Sequence, residues 1–319
     1  MAKLQSTEIV GVANRPATIC SNSVCLWFDT TNLKPMASYC GYGVGSWSAG
    51  GVMITARGYL AGAGTQNEGL AAGGYSAPNT LSCTEEYNGT SWSSGGALIT
   101  ARYALPGAGT QNVGLVSGGY NGAHTTCTEE YNGTSWSSGG ALITGRSYFG
   151  SGGTQNAGFV AGGYTPSTIS CTEEYNGTSW STGGALITAR YGGAGAGTQN
   201  VGLISGGYNG VAISCTEEYN GTSWSAGGAL ATAREHLAGA GTQNEGLVAG
   251  GYNGGLGSSA TEEYNGTSWS AGGALITARY VFIGAGTQSA GLVAGGYTNV
   301  AVACTEEYGK ALAIVDCIL

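Results

Sequence analysis

The string Thr-Glu-Glu-Tyr-Asn-Gly-Thr-Ser-Trp starts at Thr84, Thr128, Thr172, Thr216 and Thr261, and this regular return limits the possible folds more than any other feature. A Ser-Trp-Ser triplet centres on Trp47, Trp92, Trp136, Trp180, Trp224 and Trp269, at spacings of 45, 44, 44, 44 and 45 residues. Gly-Gly-Tyr ends at Tyr75, Tyr120, Tyr164, Tyr208, Tyr252 and Tyr297. One arginine follows the Leu-Ile-Thr stretch of each copy: Arg57, Arg102, Arg146, Arg190, Arg234 and Arg279. Six copies of one unit mean a closed ring or a linear stack of similar modules.

Within a copy the pattern predicts four short strands; in the second they are Tyr103–Gly109, Val113–Tyr120, Thr126–Tyr131 and Ser135–Leu142. Thr110-Gln111-Asn112 and Asn132-Gly133-Thr134 supply turns, the Asn-Gly pair because both residues tolerate positive φ. The 62 glycines carry no Gly-X-Y period, and no 3.6-residue periodicity accompanies them, so collagen and helical solenoids are excluded. Four antiparallel strands in about 44 residues make one propeller blade. The expectation is therefore an all-β, six-bladed β-propeller over 45–310, with 1–44 as an attachment or extra-strand segment and 311–319 as an apolar tail. The last copy ends at Tyr308 without its tryptophan, whereas Trp47 stands at the front without its own preceding strands. Trp47–Ile54 is thus expected to complete the blade begun by 279–308, leaving no blade edge unpaired.

Positions identical in every copy are structural by expectation, since a catalytic centre breaks symmetry. The tryptophans and repeat tyrosines should pack between blades, and glycine and alanine should fill the crowded axis. Twelve of the 18 acidic residues form the Glu-Glu pairs, and six of the ten basic residues are the repeat arginines. Strand alternation turns neighbouring glutamates opposite ways. One should pair with arginine, and the other should leave a ring of six negative charges on a solvated rim. Cys83, Cys127, Cys171, Cys215 and Cys304 share one position, replaced by Ala260 in the fifth copy, which suggests a small buried residue. Cys20, Cys25, Cys40 and Cys317 lie in the terminal segments and could pair.

A net charge of −8 and the absence of a basic patch argue against a nucleic-acid partner. No apolar run reaches the roughly 18–20 residues of a membrane span, so membrane insertion is not expected. The first residues lack the apolar core of a signal peptide, which implies synthesis in the cytoplasm without Sec export.

The order arginine, Gly-Gly, tyrosine, tryptophan resembles the kelch repeat over Gly45 to Tyr308. The near-identical Thr-Glu-Glu-Tyr-Asn-Gly-Thr-Ser-Trp-Ser copies also resemble kelch-like repeats in virion proteins of tailed bacteriophages, marine ones especially. Leu26-Trp27-Phe28-Asp29-Thr30-Thr31-Asn32-Leu33-Lys34 is similar to a strand-turn-strand motif of phage fibre and appendage proteins. These resemblances imply a non-enzymatic structural protein on the virion surface, a tail fibre, appendage or receptor-binding component. Its implied partners are other virion proteins through residues 1–44, and a host-surface glycan or protein, with multiple copies per particle. A capsid decoration protein, a cellular kelch scaffold and an adhesin are the alternatives. A copper site like that of kelch-type oxidases needs histidines, and only His124 and His236 exist, without paired spacing. Sialidase chemistry needs asymmetric arginines, whereas these are symmetric, and the only aspartates are Asp29 and Asp316. No catalytic residue, metal or cofactor is therefore expected.

Copies differ in two places: the loop between second and third strands, and the lead-in to the first strand. Both fall on one face of an antiparallel blade. The expected binding residues there are Asn79, His124 and Ser167 from the loops, with Tyr59, Tyr103, Tyr148, Phe149, His236 and Phe282 from the lead-ins. Such loops on a rigid scaffold commonly carry recognition.

Overall fold

The computed structural model describes residues 44–310 throughout and, outside them, the backbone of three strands, Val24–Asp29, Lys34–Tyr42 and Leu312–Ile318. All regular structure among the described residues is β. The chain divides into two compact units, one of 1–45 with 310–319 and one of 46–309. In the first, Lys34–Tyr42 is the middle strand of a three-stranded antiparallel sheet, paired with Val24–Asp29 and with Leu312–Ile318. The two terminal segments thus share one sheet. The cysteine pairings considered for Cys20, Cys25, Cys40 and Cys317 lie outside the described residues.

The second unit is a six-bladed β-propeller of four-stranded antiparallel sheets. Blade 1 runs Ala61–Gly64, Gly69–Ala72, Thr84–Tyr87 and Trp92–Gly95, and blade 2 runs Gly107–Gly109, Gly114–Ser117, Thr128–Tyr131 and Trp136–Ser138. Blades 3, 4 and 5 repeat this order from Gly150, Ala194 and Ala238. Blade 6 consists of Ile283–Gly286, Ala290–Ala294 and Thr305–Gly309, with Ser46–Ala49 as its fourth strand and Trp47 opposite Tyr308. The first strands lie side by side around the axis, that of blade 6 next to that of blade 1. Gly107 shows why they are glycine-rich: a Cβ there would stand 2.5 Å from the Gly62 carbonyl oxygen of the neighbouring blade.

The strands are shorter than the sequence pattern predicts. In blade 2 the chain ahead of Gly107 passes through a left-handed residue, Ala104 at φ 54, and through Pro106, which has no N–H to give a ladder. At the other end of the second strand, Gly118 and Gly119 are both left-handed, at φ 54 and 100, and the same double turn recurs in every blade. Two successive positive φ values explain the invariant Gly-Gly.

Each repeat arginine is sealed within its blade. Arg146 donates to the Gly162 and Cys171 carbonyls and pairs with Glu173, and both side chains are almost wholly buried. The Glu173 carboxylate also accepts the N–H groups of Ile143 and Thr144, at 2.7 and 3.1 Å. Equivalent ion pairs join Arg57 to Glu85, Arg102 to Glu129, Arg190 to Glu217, Arg234 to Glu262 and Arg279 to Glu306. The half-buried cysteines sit beside this arginine, and at the alanine-bearing position the Ala260 carbonyl takes the same bond from Arg234 at 2.9 Å. The backbone oxygen does the work there, so the side chain is dispensable.

Adjacent blades are tied by three bonds that recur around the ring. Trp136 Nε1 donates to Thr84 Oγ1 of the preceding blade at 2.9 Å. The Tyr131 hydroxyl donates to Glu86 at 2.6 Å and accepts the Gly96 N–H at 3.2 Å. Gln111 Nε2 donates to the carbonyls of Gly69 and Tyr87 at 3.1 and 2.6 Å. The second glutamates are therefore not the free ring of charge expected from the sequence: Glu86, Glu130, Glu174, Glu218, Glu263 and Glu307 each accept a tyrosine hydroxyl from the next blade. Each tyrosine packs against its own blade's tryptophan, as Tyr131 does on Trp136 at 4.8 Å between the centroids of tilted rings. The Asn-Gly-Thr turns use their asparagines internally, Asn132 Oδ1 accepting the N–H groups of Thr134 and Ser135.

Replacing Arg146 by Met leaves Glu173 buried without its counter-charge. Chemical denaturation should show a loss of about 3–5 kcal/mol. The double change Arg146→Met with Glu173→Gln should be the milder of the two.

A tyrosine-paved candidate binding face

The lead-ins meet at the axis. The second residue after each arginine, Tyr59, Ala104, Tyr148, Gly192, His236 and Val281, has a left-handed backbone, with φ between 53 and 65. Each of these residues donates its N–H to the carbonyl of its counterpart in the previous blade, at 2.6 to 3.0 Å, and Tyr59 donates to Val281. Six backbone bonds thus form an unbroken circle. Left-handed Tyr, His and Val are strained, and Val, being β-branched, most of all, so the circle over-determines their conformation.

Side chains alternate around that circle. Blades 1, 3 and 5 contribute Tyr59, Tyr148 and His236, whose rings lie 5.5 to 6.2 Å apart in edge-to-face contact. Blades 2, 4 and 6 contribute the smaller Ala104, Gly192 and Val281. A Cβ on Gly192 would lie 3.0 Å from His236 Nδ1, so the glycine makes room for the imidazole. A cavity of about 140 Å³ is lined by these residues and by the glycines that follow in the first strands.

Around this centre the immediate post-arginine residue bridges to the Gly-Gly-Tyr tyrosine of its own blade: Gly58 to Tyr75, Tyr103 to Tyr120, Ser147 to Tyr164, Tyr191 to Tyr208, Glu235 to Tyr252 and Tyr280 to Tyr297. Eleven of the 19 tyrosines consequently lie on this one face. Tyr103 contacts Tyr59, Tyr75 and Tyr120, and Tyr191 contacts Tyr148, Tyr164, Tyr208 and His236. The six loops from second to third strands and the lead-ins after the arginines contain a single charged residue, Glu235.

Burial shifts the ionisable groups at the centre. It pushes the Tyr59 phenol up to about 12, with neighbouring tyrosines adding to the effect, and raises Tyr148 as well. It raises the Glu235 carboxyl and lowers the His236 imidazole to about 4. Glu235 Oε2 is buried without a hydrogen-bond partner and stands 3.6 Å from His236 Nε2.

Of the residues expected on this face, Asn79 is exposed in a small hairpin of Tyr75–Ser76 and Asn79–Thr80 in blade 1. Ser167 is exposed, and the half-buried His124 contacts the Tyr120 and Tyr164 rings and lies 3.0 Å from Ser147 Oγ. Tyr59, Tyr103, Tyr148 and His236 are half-buried in the aromatic field. Phe149 and Phe282 are buried and share the lining of the axial cavity. Both belong to inter-blade clusters, against Gly118 and Gly250, with the guanidinium carbons of Arg146 and Arg279 at 5.9 and 5.7 Å from the ring centres. Being apolar, they pack under the lead-in. The invariance of the Gly-Gly-Tyr tyrosines pointed to packing between blades, yet they lie on this face, and Tyr191 joins them there. The signal available was the double glycine itself, which ends the strand and delivers the next residue to the loop face.

No group of three or more His, Cys, Asp or Glu side chains among the described residues is placed to hold a metal ion. The sequence matches no family model, and no curated protein matches it.

Desolvation keeps the half-buried His236 neutral, so its contribution to stability is complete above its unfolded pKa of about 6.5 and is lost as pH falls towards the folded value of about 4. Thermal unfolding of His236→Phe should lack this part of the pH dependence. Across that window the wild type should lose up to about 3 kcal/mol more than the variant.

Proposed function

We propose that this chain is a non-enzymatic recognition protein of kelch type, displayed on the outside of a tailed-phage particle as a tail fibre, appendage or receptor-binding component. The observation that carries the recognition part is the contrast between the two faces. The Thr-Gln-Asn and Asn-Gly-Thr turns repeat almost unchanged, while the opposite loops and lead-ins differ from blade to blade. A scaffold held by six-fold repeated bonds is rigid enough for that varied face to work as a fixed template. The placement on a virion rests on the resemblance of the repeats and of Leu26–Lys34 to phage structural proteins. In this reading the fourth strand Ser46–Ala49 closes the ring, residues 1–44 bind other virion proteins, and several copies decorate each particle. The target is a host-surface glycan or protein.

Gold-antibody labelling of particles and cells from the source culture tests the placement. Label on tails is expected. Label on heads would make the chain a decoration protein, and clean particles with labelled cells would make it a cellular kelch scaffold or adhesin. Exchanging the loops at 76–80 and 121–125 should change binding to host cells, and unchanged binding would remove recognition from this face.

A further inference from the structure

We infer that the sector of the varied face centred on Tyr191 binds neutral pyranose sugars, a conclusion that rests on the reading of that face as the recognition surface. The Tyr191 ring is the meeting point of the sector, with centroids of Tyr148, Tyr164, Tyr208 and His236 at 6.1, 5.5, 5.3 and 5.9 Å. Of these tyrosines only Tyr164 is exposed, at 36%, and the others are half-sunk. Aromatic anchors of protein interfaces fill pockets in the partner. Half-sunk rings in mutual contact form a floor instead, and a floor accepts a ligand with a flat apolar side. The C–H face of a pyranose is such a side.

The polar groups of the sector agree with this ligand. The loop residues beside the floor offer hydroxyl, amide and imidazole groups at Thr165, Ser167, Asn209 and His124. This mixture of tyrosine with small polar residues supplies both contact area and adaptable hydrogen bonding. Arg146, Arg190 and Arg234 are buried and paired with glutamates, so they offer nothing to an anionic ligand.

Saturation-transfer NMR on the full chain, with maltotriose, diacetylchitobiose and galactobiose at millimolar concentration, tests the site. Transfer to the ring protons of at least one sugar is expected. Tyr191→Ala should weaken it about tenfold or more, whereas Tyr191→Phe should keep it. Val113→Ala, an exposed position at the Thr-Gln-Asn turn of the opposite face, should leave it in place, and near-UV circular dichroism checks the fold of each variant. No transfer to any of the three sugars, or transfer indifferent to Tyr191→Ala, overturns the inference. Host-cell binding that survives periodate but not protease, yet still responds to the loop exchange, also overturns it while leaving recognition by this face standing. Binding indifferent to the loop exchange would defeat the broader reading instead.

Discussion

The buried guanidinium is the point from which each blade is laid out. A sheet built of glycine, alanine, serine and threonine has little side-chain volume with which to specify its loops, so the arginine does that work through hydrogen bonds. It gathers carbonyls from the double-glycine turn and from the cysteine position, and it neutralises a glutamate that would otherwise be costly to bury. That glutamate then holds the backbone of the segment arriving from the previous blade. One ion pair therefore connects a blade's interior to the path by which the chain enters it, and the lead-ins reach the axis in the same geometry six times over.

Between blades the logic is different. Tryptophan, tyrosine and glutamine each carry a large flat group with a polar tip, and each tip finds its partner in the preceding blade. Apolar contact supplies the attraction, while the hydrogen bonds fix the register of one sheet on the next. Neighbouring blades are alike enough for one set of bonds to serve every junction, which is a physical reason for the repeats to stay near-identical where they touch.

Much of this was legible in the sequence because it is periodic. Marker spacing specified six units, the turn residues specified four strands in each, and Trp47 without its own preceding strands pointed to a fourth strand supplied from the front of the chain. What escaped was whatever depends on direction in space. Strand ends were overestimated because left-handed residues such as Ala104 carry no compositional mark. The second glutamates looked unpaired because their tyrosine partners belong to another blade, about 45 residues along the chain. Phe149 and Phe282 looked variable, hence exposed, although both are buried between blades beside the axial cavity. Tyr191 was hidden by its neighbours Gly192 and Gly193, which look like an empty stretch until His236 and Ile204 are seen against them.

The circle of backbone bonds at the axis admits side chains only by turns. Rings from alternate blades meet, and the blades between them keep to alanine, glycine and valine. Such alternation closes on itself only when the number of blades is even. A ring with an odd count would bring two aromatic residues, or two gaps, next to each other at one junction. Gain or loss of a single repeat, the simplest change open to a tandem array, thus sets two like residues side by side at the axis. Parity at the axis guards the blade number of this molecule.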